Sequence, residues 1–258
     1  MNEPARLIGK RALVTGGSRG IGAAIARRLA ADGAAVAINY VADQSAADKL
    51  VAELTDKGHQ VAAFRADVSD PAQTHDLVRR VVEAFGGLDI LASNAGIEHF
   101  GALESITLSD FDRVFHINVA GQLFATQAAA AAMTGGGRIL LTSSTSARIG
   151  VRQHTLYAAS KAAVTAMALN LAPELAGRGI AINAIAPGGT DTDMAAAVLA
   201  RYTPPALRDV PADTVIKSMT AIGRLAEPDE IAAVAAFLLS PDASYLTGAT
   251  VDASGGWM

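Results

Sequence analysis

Thr15-Gly16-Gly17-Ser18-Arg19-Gly20-Ile21-Gly22 joins the apolar run Ala12-Leu13-Val14 to a stretch with Ile21, Ile25 and Leu29 at helical spacing. The run reads as a short buried strand stopped by glycine. The stretch from about Gly20 to Asp32 reads as a helix. Glycines at such a junction permit a tight turn and let a phosphate approach the backbone closely. The helix start behind them offers N–H donors and a partial positive charge to a pyrophosphate. The spacing is T-G-x-x-x-G-x-G rather than G-x-G-x-x-G, and the glycines alone also suit an ordinary strand-to-helix turn.

The same alternation continues along the chain. Apolar strands are expected at 34–39, 61–65, 88–92, 139–142, 181–185 and 249–251, with helices between them. Asp43 to Lys57 is a polar helix, and Pro71 sits at the first turn of the next, where its missing N–H costs nothing. Thr107 or Ser109 caps a long helix that ends before Gly135-Gly136-Gly137. The helix carrying Tyr157 runs to about Ala176, with Pro173 expected to remove one bond and introduce a kink. Glu227 to Leu239 closes the helical set. Continuous apolar strands alternating with helices imply a parallel sheet covered on both faces. Right-handed crossovers then favour an α/β, Rossmann-type doubly wound sheet of about seven strands in one domain over residues 1–258. Residues 190–226 break the rhythm, carry Pro204-Pro205 and Pro211, and are expected to cover the substrate as a lid.

Composition removes several classes. Of 258 residues, 51% are hydrophobic and 18% charged, which excludes a disordered chain. The net charge of −4 comes without a basic block, so nucleic acid is not an expected partner. No cysteine is present, which excludes a disulfide, a thiol nucleophile and a thiolate metal site. Asp191 and Asp193 lack a histidine cluster and are expected to cap a helix, so no metal is expected. The start, Met1 to Arg6, has no signal-type apolar run, and no stretch is long enough to span a membrane. A cytoplasmic protein without a membrane partner is the expectation.

Two further places carry chemistry. The second strand ends in Asn39-Tyr40-Val41, with no carboxylate to receive a ribose 2′-hydroxyl or repel a 2′-phosphate. Arg19 offers that phosphate a charge-assisted contact, so NADP is favoured over NAD. Asp43, close by, points the other way unless it only caps the next helix. Downstream, Tyr157-Ala-Ala-Ser-Lys161 places a phenol and an ammonium on one helical face. A neighbouring ammonium is expected to make the phenol more acidic and suit it to proton transfer at a carbonyl oxygen. Ser144 lies thirteen positions before Tyr157. Alone, Ser144 would be one polar residue among Thr142–Ser146, and Asn118 a costly mid-helix asparagine. A serine-hydrolase reading finds no Gly-x-Ser-x-Gly. His59, His75, His99 and His116 are scattered.

These residues resemble the short-chain dehydrogenase/reductase family over nearly the whole chain. The match includes Thr15 through Gly22, Asp67-Val68, Asn94-Ala95-Gly96, Asn118, Ser144, Tyr157 with Lys161, Asn183, Pro187-Gly188 and Thr192. Gly223-Arg224, Pro228, Glu230-Ile231, Thr247-Gly248 and Gly255-Gly256 extend it. The resemblance implies that Tyr157 is the general acid/base. Lys161 would lower its pKa and hold the nicotinamide ribose, and Ser144 would bond the substrate oxygen. Asn118 would help hold a water that relays protons. Gly16, Ser18, Arg19, Gly20, Ile21 and Gly22 would cradle the phosphates, with Asn39 and Tyr40 beside them. Asp67 and Val68 would meet the adenine, and Asn94, Ala95 and Gly96 its ribose. Pro187, Gly188, Gly189 and Thr190 would pass along the nicotinamide, and Thr192 would bond its carboxamide. The family usually has an aliphatic residue at Thr190 and often a second asparagine at Ser93.

Within the family the chain is similar to NADPH-dependent polyhydroxynaphthalene reductases and polyketide ketoreductases, and nearly as similar to 3-oxoacyl-(acyl-carrier-protein) reductases. The substrate implied is a small ketone or secondary alcohol, met by Ser144, Tyr157, Gly189 and His154, while Met194, Val198 and Tyr202 suit either an apolar substrate pocket in the lid or packing of the lid itself. A 3-oxoacyl reductase would want a basic docking patch, for which Arg148, Arg152, Arg201 and Arg208 are candidates. A non-catalytic dinucleotide sensor would be expected to lose Tyr157, Lys161 or Ser144. Family habit implies a homotetramer built from the helix near Thr107 and the Tyr157 helix.

Overall fold

The structure, a computed structural model, describes residues 6–203 and 205–257. Pro204 of the expected lid, Met258, and Met1–Ala5 of the amino-terminal stretch read for a leader lie outside them. The strands are β1 (Arg11–Thr15), β2 (Ala35–Tyr40), β3 (Val61–Arg65), β4 (Ile90–Ser93), β5 (Gly137–Thr142), β6 (Ile180–Pro187) and β7 (Thr250–Ala253). The helices are α1 (Gly20–Ala31), α2 (Gln44–Asp56), α3 (Pro71–Phe85), α4 (Leu108–Phe115), α5 (Gly121–Ala132), α6 (Thr155–Ala176), α7 (Asp193–Tyr202), α8 (Ala212–Met219) and α9 (Pro228–Leu239). The sheet order is β3-β2-β1-β4-β5-β6-β7, and every pairing is parallel.

Alternation along β1 explains the two-sided burial. Ala12 and Val14 face one core with α1, α2 and α9, whereas Leu13 faces the other with α3, α5 and α6. The strand order reverses between β1 and β4, and a ligand crevice is expected outside the strand ends at that point. The Gly16 loop leaves β1 there, and Asn94-Ala95-Gly96 leaves β4 beside it.

Local chemistry sets the ends. The Asp43 side chain accepts from Ala46 N and caps α2. Asp70 caps α3 with Pro71 at the first turn. Thr107, not Ser109, caps α4 in a reciprocal box with Asp110. Thr192 caps α7, correcting the assignment of that task to Asp191 and Asp193. The single long helix expected after Thr107 is also corrected, because a π-helical turn, His116–Ala120, separates α4 from α5. That turn presents Asn118, and such turns often mark functional positions. Pro173 is carried inside α6 without ending it. The 190–226 excursion folds into α7 and α8, and isolated bridges tie Thr190 to Ala226 and Thr220 to Trp257.

Candidate active site

A cavity of about 520 Å³ opens over the ends of β1, β4, β5 and β6. Gly16, Ser18, Arg19, Gly20 and Ile21 line one end. Gly16 has φ of +60°, and a Cβ on it would stand 2.9 Å from the Ala95 Cα. The start of α1 carries no side-chain cap, so its first N–H groups are free for a ligand. An uncapped helix start under a loop that admits no side chain fits a pyrophosphate. Arg19 is exposed on the rim, and its guanidinium has no partner among the described residues.

Gly22, expected to help cradle phosphate, does not line the cavity. A Cβ there would lie 2.2 Å from the Gly16 carbonyl oxygen, so its part is to let the loop close on the helix. Asn39 is buried and ties strands together. It donates to Ala66 O at 2.9 Å and accepts from Gly16 N at 3.3 Å. Its contribution to coenzyme choice is therefore the missing carboxylate. Tyr40, Asp67 and Val68 line the same region. Asp67 Oδ1 accepts from Ser69 N and Oγ, while Oδ2 has no partner among the described residues. Asn94 lines the cavity and fastens the glycine loop, donating to Gly16 O at 3.2 Å.

The other half of the cavity holds the reactive groups. Tyr157, Lys161 and Ser144 all line it and are all at least nine-tenths buried. Lys161 Nζ donates to Thr142 O at 2.9 Å and stands 5.4 Å from the centre of the Tyr157 ring. Gly96 makes room for it, since a Cβ there would come within 3.3 Å of Nζ. Burial lowers Lys161 to about 8, with the Glu98 charge working against that change. Burial first, and the Glu98 charge second, push the Tyr157 phenol above its ordinary range, whereas hydrogen bonding with Ser144 lowers it. The net direction in the protein alone is opposite to the acidification expected beside Lys161, because burial penalises the phenolate.

Asn118 is fully buried and does not front the cavity. It clamps the loop after β4, accepting from Ile97 N at 2.8 Å and donating to Ile97 O at 2.9 Å and to Ser160 Oγ at 3.0 Å. Its own carbonyl accepts from Gln122 Nε2 at 3.1 Å. Ala95, Pro187, Gly188, Thr190 and Thr192 are on the wall, as are Gly189, Met194, Val198 and Tyr202. His154 is not. It is buried behind Tyr202 and Glu98, which corrects its expected contact with substrate. Glu98 was not foreseen, because a carboxylate in Ile97-Glu98-His99 has no local signal; only its partners bring it to the site. Among the described residues, no group of three or more His, Asp or Glu is placed to hold a metal ion. No helix among them is long and apolar enough to cross a membrane.

Glycine loop, uncapped helix start and tyrosine–lysine wall together define a Rossmann-type, dinucleotide-dependent oxidoreductase. A family model described as enoyl-(acyl carrier protein) reductase matches residues 16–258. Versicolorin reductase 1 of Aspergillus parasiticus is 41% identical over 259 aligned residues, spanning 99% of each chain. The hydroxynaphthalene reductase-like protein Arp2 of Metarhizium majus is 40% identical, spanning 98% of this chain and 96% of that one. A short-chain dehydrogenase from Burkholderia cenocepacia, solved in complex with NADP, superposes with a TM-score of 0.88 at 45% identity, over 97% of this chain and 98% of that one. The chain belongs to the short-chain dehydrogenase/reductase family.

Proposed function

We propose that the protein uses NADPH to reduce a ketone of cyclic or aromatic polyketide type, or oxidises the corresponding secondary alcohol in reverse. The observation that carries this reading is the convergence of Ser144, Tyr157 and Lys161 on the same cavity as the uncapped start of α1. The NADP found in the Burkholderia cenocepacia relative supports the coenzyme, and the names of the fungal relatives support the ketone class.

Gly16, Ser18, Gly20, Ile21 and the start of α1 would hold the pyrophosphate, and Arg19 the 2′-phosphate. Asp67 and Val68 would meet the adenine, Asn94, Ala95 and Gly96 its ribose, and Lys161 the far ribose. Pro187, Gly188, Thr190 and Thr192 would flank the nicotinamide. When bound, the reduced coenzyme supplies a hydride to the carbonyl carbon. Tyr157 then gives its proton to the carbonyl oxygen. A phenol held protonated by burial is in the form this step needs. Ser144 donates a hydrogen bond to the same oxygen as charge develops on it. The Lys161 ammonium steadies the resulting phenolate from 5.4 Å off its ring centre. Asn118 holds the loop and would help hold a water relaying protons past Lys161. Residues 190–226, with Met194, Val198 and Tyr202 on the cavity wall, would be the lid.

A 3-oxoacyl reductase is less well supported. Of its candidate docking arginines, Arg148 is paired with Asp252 and Arg201 is bound to Phe100 O. A panel of cyclic ketones, naphthols and 3-oxoacyl thioesters, followed by NADPH absorbance, tests the reading. Turnover of thioesters alone would overturn it. For assembly as a homotetramer, exposed Leu108 and Phe111 on α4 and Leu169 on α6 offer apolar contact surface. A monomer in analytical ultracentrifugation would contradict that assembly.

A further inference from the structure

One ionisable group at the site has no task in the mechanism above. Glu98 lies on the loop after β4, and its side chain, 14% exposed, fronts the cavity. Two neighbours hold it. The Tyr202 hydroxyl donates to Oε1 at 2.7 Å, and His154 Nε2 lies 2.6 Å from Oε2. His154 is sandwiched between the rings of Phe100 and Tyr157, at 4.3 and 4.7 Å. Its Nδ1 is buried and has no partner among the described residues. A carboxylate oxygen only accepts, so Nε2 is the donor in the contact with Glu98. His154 and Tyr202 therefore both donate to the Glu98 carboxylate.

This carboxylate is held in place. Gln153, just before His154, adopts a left-handed φ of 62°, and its carbonyl accepts from Gly101 N at 2.8 Å. Asn118 clamps Ile97, the residue before Glu98, from both sides. Strained backbone of this kind persists where the surroundings enforce it. Two donors do not exhaust a carboxylate, which has roughly four acceptor positions. Ile149, Met194, Val198 and Leu199 give the same cavity apolar wall. An anchored acceptor beside such wall is how ligand sites fix orientation and choose a ligand.

We propose that Glu98 is a specificity-determining residue that accepts a hydrogen bond from a hydroxyl carried by the ketone substrate at a distance from its reacting carbonyl. The proposal rests on the ketone-reductase reading and deepens it. A ketone without that donor strips water from the carboxylate and returns nothing. A ketone with a carboxylate in the same place meets like charge. Glu98 shares its cavity with Ser144 and Tyr157, so one bound ketone can meet all three.

The test measures kcat/KM with NADPH for 1-tetralone, for its isomers hydroxylated on the aromatic ring, and for the matching carboxylated ketones. At least one hydroxylated isomer is expected to exceed the parent by about tenfold or more, with the carboxylated ketones poorest. In Glu98→Leu the preference is expected to shrink to within about threefold, and in both Glu98→Leu and the uncharged Glu98→Gln the carboxylated ketones are expected to gain on the parent. Should the variants fail to fold, the ranking in the unmodified protein decides. Equal use of parent and all hydroxylated isomers by that protein would overturn the proposal, as would the same ranking in a folded Glu98→Leu protein. Failure to reduce any ketone would instead bring down the reductase reading, and this inference with it.

Discussion

His154 and Tyr157 are stacked ring on ring, with centroids 4.7 Å apart and planes inclined by 22°. The histidine thus stacks against the Tyr157 phenol while its Nε2 reaches Glu98 at 2.6 Å. His154→Phe would keep a ring in place and remove that donor. A mostly buried carboxylate would then be short of one partner, costing about 1–3 kcal/mol of stability. A lowered Tm is expected; an unchanged one would mean that this contact contributes nothing to the fold.

The pH dependence follows from two opposite shifts. Burial brings Lys161 down to about 8, while burial and then Glu98 raise Tyr157. Below about 8, the lysine is charged and the phenol protonated, the forms reduction needs. As pH rises through that value, the lysine loses its proton first, and reduction falls while Tyr157 still holds its own. A profile of kcat/KM for NADPH, which reports the free enzyme, checks this. A level profile up to the range of free lysine would contradict it.

Arg19→Ala should weaken NADPH by roughly 10- to 100-fold, the worth of charge-assisted contacts, and NADH far less. Titration of both coenzymes by fluorescence separates the cases. Equal losses would remove the phosphate contact from this arginine.

Much of this arrangement is legible in the sequence because it is local. Gly16, Gly20 and Gly22 follow an apolar strand, and Tyr157 and Lys161 share a helical face, so spacing alone brings each set together. Element ends follow from single caps such as Asp43 and Asp70. The π-helical turn at Asn118 was not legible, since helical spacing does not announce one extra residue in a turn and the distortion is tied to contacts with Ile97 and Ser160. Glu98 was hidden for a similar reason. Its partners His154 and Tyr202 lie 56 and 104 positions away, so no pattern along the chain announces them. The direction of the Tyr157 shift needed burial, which sequence spacing does not supply.

The central claim is that the Tyr157 hydroxyl protonates the carbonyl oxygen as hydride reaches the carbon. Tyr157→Phe, assayed for ketone reduction with NADPH affinity measured in parallel, tests it most directly. Turnover should fall by about 10²- to 10⁴-fold while the coenzyme Kd stays close to that of the unmodified protein. Reduction at the unmodified rate with the coenzyme bound normally would contradict the claim.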